Sequence, residues 1–149
     1  MKRFVTATFL MIGLFSAFAA YAHHAAAGID RSKTVTIEGT VKQFKWGNPH
    51  SWLDLEVANQ KGSVDVWSLE MTSPAFLVPL GWKATTLKAG DKVKAVVQPF
   101  KNGDPGGLFI SVTLPDGKVM LTVEADTFRA QYPTDSNSKD VTLQEYPRY

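Results

Sequence analysis

The residues best suited to chemistry here are the histidines, of which the chain has three: His23, His24 and His50. Imidazole nitrogen suits Cu, Zn and Ni, and Cu(II) tops the affinity order for divalent ions, so copper is the first metal to consider. Cleavage after Ala22 would make His23 the N-terminal residue, with an α-amine and an imidazole on one residue as a ready chelate. His24 adds a second imidazole, and His50 completes a metal site if the N-terminal arm folds back. Extended, the arm from His24 to Val35 reaches roughly 30 Å, so length does not forbid this. The competing reading leaves His23 and His24 solvated in a flexible N-terminus and gives His50 a hydrogen bond to a turn.

A second set of residues points to ligand binding. Trp52 and Trp67 are expected on the strand faces opposite the Leu53/Leu55 and Val64/Val66 rows, with His50 on the side of Trp52. Met71 is expected opposite His50 if Ala58 pairs with Ser63, and its thioether would suit Cu(I). Glu70, near a strand end, is a further ligand or acid/base group, with a strand-end salt bridge as its structural alternative. Trp82, after Gly81, is expected to plug the core.

Catalytic machinery is not recognisable. The sequence has no nucleophile elbow, phosphate loop, His-Glu-x-x-His motif or dinucleotide fingerprint. Cysteine is absent, which removes thiolate metal sites, disulfide exchange and cysteine nucleophiles. An enzymatic reading therefore requires chemistry carried by a bound metal.

The N-terminus reads as a secretory leader over residues 1–22. Lys2 and Arg3 form the positive region, Phe4 to Ala20 the apolar stretch, and Ala20-Tyr21-Ala22 the cleavage site. The expected location is periplasmic or secreted, with no membrane association after cleavage. The full chain carries 16 basic and 14 acidic residues. The leader removes two of the basic residues and no acid, leaving a balanced mature chain. That balance lacks the basic footprint of a nucleic-acid binder.

The elements that must position these residues are mostly β. Residues 33–46 alternate as one strand through Val35, Ile37, Gly39 and Val41, then shift phase to Phe44 and Trp46, which predicts a bulge or bend. Asn48-Pro49 is a turn, and Leu53, Leu55 and Val57 mark a second strand. Asn59 to Gly62 is a hairpin loop, and a third strand runs from about Ser63 to Met71. Ser73 caps a short helix with Pro74 at its first position, ending near Gly81. Further strands are predicted at Lys92–Gln98, Leu108–Leu114 and Lys118–Val123, with a polar loop from Pro99 to Gly107. Three strands, one helix, then further strands, the first one bent, is the order of an OB-like β-barrel. A small β-sandwich is the alternative. The domain organisation is then a leader (1–22), an N-terminal arm (23–32), a barrel (33–126) and an extended or disordered C-terminal tail (127–149).

Several of these residues together resemble a family of short bacterial secreted proteins of unknown function. The resemblance rests on His23-His24, Gly39-Thr40-Val41, Asn48-Pro49-His50, Trp67 with Glu70, Gly81-Trp82 and Gly90-Asp91-Lys92-Val93. The family pattern has His-His-Ser where this chain has His23-His24-Ala25. The resemblance implies an extracytoplasmic β domain and assigns no activity.

Three functions follow as expectations. The first is a small periplasmic binding module holding a copper-like metal through His23, His24 and His50. The second is a non-metal domain binding a protein or small molecule on a Trp face, and the third is a copper-dependent redox enzyme.

Overall fold

The computed structural model describes residues 28–123. The segment expected to be a leader, His23-His24 and the segment expected to be a tail lie outside the described residues. Alternating apolar residues, with turn signals between them, produce six strands. They are β1 (Val35–Lys45), β2 (Trp52–Ala58), β3 (Val64–Glu70), β4 (Lys92–Pro99), β5 (Gly106–Thr113) and β6 (Val119–Leu121). Helix α1 (Pro74–Leu77) and a 3-10 turn (Val78–Leu80) lie between β3 and β4.

β1, β2 and β3 form an antiparallel meander, and β4 pairs with the other edge of β1. β5 pairs antiparallel with β4 and parallel with β3, which closes the ring. A closed five-stranded barrel with one short helix between β3 and β4 is the OB-like architecture, not the β-sandwich alternative. β6 adds to β5 outside the ring.

The predicted phase shift in β1 is a bulge. Val41 faces Leu55 and Gln43 faces Asp54, so Lys42 is the extra residue. The bulge lets Val41 and Phe44 both turn inward. Lys45 is thereby aimed outward. The interior is filled by Val41, Leu53, Leu55, Leu69, Val97, Phe109 and Val112, each at most 1% exposed. Trp82 closes one end, as expected for a plug at the helix exit. Gly81 stops the helical segment in the left-handed conformation, at φ 85°, where a side chain is disfavoured. Ser73 caps the helix through its carbonyl, which accepts from the Phe76 and Leu77 amides, while its side chain makes no capping bond.

Two expectations about β3 are corrected by its register. The hairpin turn is Gln60-Lys61-Gly62, with Gly62 at φ 78°, so Ala58 faces Val64 and not Ser63. The one-residue difference puts Met71 beside Ser51, with its amide donating to the Ser51 carbonyl, and buries its side chain in the core. Met71 therefore does not face His50. The same register pairs Trp67 with Leu55, so Trp67 packs against the interior and Val64 and Val66 face out. The loop from Pro99 is also shorter than predicted, because β5 begins at Gly106.

The N-terminal segment is tied to the barrel from its first described residues. Ile29 bridges to Phe100, the Asp30 amide donates to the Pro99 carbonyl, and the Lys101 amide donates to the Gly28 carbonyl.

Candidate functional site

The outer face of β1, β2 and β3 gathers His50, Trp52 and Glu70 of the residues singled out in the sequence. Alternation places Trp52, Asp54 and Glu56 outward on β2, and cross-strand pairing sets them beside Glu70, Ser68 and Val66 of β3. On the β1 side, Lys45 stands opposite Trp52 and Gln43 opposite Asp54.

His50 follows a cis Asn48–Pro49 peptide, just before β2. Its Nδ1 contacts Glu70 Oε1. The His50 side chain is 50% exposed and that of Glu70 only 14%, so the carboxylate supports the ring from beneath. With Nδ1–H donating to Glu70, Nε2 is the nitrogen left to accept or to ligate. Glu70 is thus paired with His50 and is not an isolated acid.

A second polar group lies one row along the same strands. Lys45 Nζ donates to Asp54 Oδ2 at 2.7 Å, and Ser68 Oγ donates to Oδ1 at 2.7 Å. Burial raises the pKa of Asp54, but the Lys45 and Ser68 hydrogen bonds and the charges of Lys45 and Lys42 outweigh it and hold the carboxyl below its ordinary value. A depressed folded-state pKa adds stability that is complete above the unfolded value and is lost as pH falls through the folded one. Stability against urea is therefore expected to fall as pH drops below the ordinary carboxylate range, and Asp54→Asn is expected to flatten that slope. Identical slopes in the two proteins would count against the role given to this group. Sequence reading missed the group because Lys45 reaches Asp54 only after the bulge has reset its direction.

Trp52 lies on this face, partly buried, whereas Trp67 and Met71 do not. Among the described residues, no three His, Asp or Glu side chains converge to hold a metal ion. A third donor for His50 would have to come from elsewhere, and His23 and His24 lie outside the described residues. The anchoring of Gly28 shortens the arm that matters, since the stretch from Gly28 back to His24 spans at most roughly 14 Å.

The closed barrel with a polar outer face on β1–β3 places the protein among OB-like domains. The chain belongs to a family of unknown function (DUF6152), whose model matches residues 13–110. No curated protein matches it. Among solved structures it is similar to the S. cerevisiae mitochondrial single-stranded DNA binding protein Rim1. The sequences are 8% identical, the match covers 56% of this chain and 94% of that one, and the TM-score is 0.41.

Proposed function

We propose that this domain is a small extracytoplasmic metal-binding module, copper first, in which His50 is a ligand through Nε2 and His23 and His24 supply the remaining nitrogens. The observation that carries this reading is the contact of His50 Nδ1 with Glu70. Ligating histidines almost always donate their other ring N–H to a carboxylate, carbonyl or water, which fixes the tautomer and raises the basicity of the metal-facing nitrogen. A half-exposed histidine seated on a largely covered glutamate has that arrangement before any metal arrives.

The test is a Cu(II) titration, against a competing chelator at neutral pH, of protein purified from the periplasm with its native N-terminus. One copper is expected to bind more tightly than to a generic His-rich peptide. His50→Ala should weaken it by at least about 100-fold, and Glu70→Gln by about 10-fold, the lower end of measured effects of removing such a supporting group. Unchanged affinity in His50→Ala would sink the reading.

A second reading is favoured by Val64 and Val66, which are 61% and 37% exposed on the outer face of β3. They offer a small apolar patch for a protein partner or small ligand, set apart from Trp52 by the Asp54–Ser68 row. A partner held there would stay bound to His50→Ala and be lost on Val66→Asp.

A further inference from the structure

A second feature lies across the barrel seam from His50 and uses none of the metal-site residues. It is a groove of about 340 Å³ between the N-terminal segment, helix α1 and the outer surface of β5. We propose that this groove binds a free medium-chain carboxylic acid, with its carboxylate on Arg31 and its alkyl chain along β5.

The apolar part comes from an unusual place in the barrel. Val96 and Ile110 are buried on the outside of the sheet, and Leu108, Leu121 and Val123 pack around them as a cluster separate from the interior core. Leu108, Ile110 and Val123 of this cluster line the groove. Phe76 stands at the same groove and is 68% exposed, an aromatic ring that the fold itself does not cover. A bound alkyl chain would remove that surface from water.

The polar part is small and of one sign. Among the described residues of the lining Arg31 is the charged one, and Thr72 and Thr122 add hydroxyls. The Arg31 backbone is anchored, because its carbonyl accepts from Gln98 Nε2 at 3.3 Å and the preceding amide, that of Asp30, donates to the Pro99 carbonyl. Among the described residues, Asp30 and Glu70 are engaged elsewhere. Asp30 accepts from Ser32 and pairs with Lys33, and Glu70, the ladder partner of Leu108, carries His50. A guanidinium at the mouth of an apolar groove selects a planar carboxylate, which it can hold with two parallel hydrogen bonds. The volume sits at the small end of ligand sites, which fits a medium-chain acid and not a long lipid or a folded partner.

The probe is sodium decanoate, titrated calorimetrically into the full mature chain below its micelle concentration. Decanol and decyltrimethylammonium serve as the neutral and cationic counterparts. Decanoate is expected to saturate at one site and to bind about 10-fold more tightly than decanol, with the ammonium weaker still. Arg31→Gln should lose that 10-fold preference while leaving decanol binding and the thermal midpoint unchanged. Phe76→Ala should weaken decanoate and decanol alike. Equal affinity for the three amphiphiles, an unaltered preference in Arg31→Gln, or no saturable binding of decanoate would each overturn the proposal.

Discussion

Replacing Trp82 with alanine is expected to remove about 3–5 kcal/mol of folding stability, the range for truncating a buried tryptophan. The side chain is 1% exposed and its indole N–H donates to the Leu121 carbonyl at 2.6 Å. Its ring meets Phe109 edge-on at 5.7 Å and lies tilted against Phe44 at 6.0 Å. One residue thus joins the helix exit, the barrel interior and the end of β6, and its loss leaves both a cavity and an unpaired carbonyl. Domains of this size hold about 5–15 kcal/mol in total, so the variant would sit near the edge of folding. Trp82→Phe keeps most of the apolar contact and gives up the hydrogen bond, so it should cost less, roughly 1–3 kcal/mol. Urea unfolding followed by far-UV circular dichroism measures both. A loss below about 1 kcal/mol for the alanine variant would contradict the role assigned to this ring.

Much of the barrel was legible because its strands carry unambiguous alternation. In β1 the run Val35, Ile37, Gly39, Val41 fixes the inner face, and the jump to Phe44 marks the bulge before any coordinates are known. Pro74 and Gly81 likewise bracket the helical segment. β3 was not legible in the same way, because Val64, Val66, Trp67 and Leu69 put apolar residues on both faces and periodicity alone cannot choose between them. The choice is made by the turn. Asn59 Oδ1 accepts from the amides of Lys61 and Ser63, and the Asn59 amide donates to the Ser63 carbonyl. This closes a turn one residue away from the simplest count, and a one-residue slip exchanges the faces. The consequence for the site is direct. Met71 and Trp67 move into the core, and Glu70 comes to lie where His50 can meet it.

The Arg31 groove was illegible for a different reason. Its lining is drawn from the N-terminal segment, the helix and two strands, and no spacing in the sequence connects Arg31 with Phe76 and Leu108. The bridge between Ile29 and Phe100 was equally hidden, since one pair of residues has no period to detect.

The seam that closes the barrel carries the other large expectation, which concerns Gly107. β3 and β5 meet over only three pairs, Ser68 with Gly106, Leu69 with Gly107 and Glu70 with Leu108. Gly107 also faces Pro99 of β4, so its Cα is enclosed by strands on both sides. A Cβ there would lie 2.1 Å from the Gln98 carbonyl oxygen and 2.9 Å from the Pro99 Cα. Both are backbone atoms, which cannot rotate away as a side-chain tip can, so β4 and β5 would have to part. Gly107→Ala is therefore expected to cost about 3 kcal/mol, the upper part of the range for overpacking. For a domain of this size that lowers the thermal midpoint by about 10 °C or more. Hydrogen exchange should locate the damage, with the amides between β4 and β5 around Gly107 exchanging faster than those between β1 and β2. Displacement of β5 also reaches the candidate metal site, because Leu108, next to Gly107, is the ladder partner of Glu70. Copper affinity should fall in Gly107→Ala even where the variant is still fully folded. Wild-type exchange around Gly107 would contradict the clash, and wild-type copper affinity with β5 displaced would separate barrel closure from the positioning of Glu70.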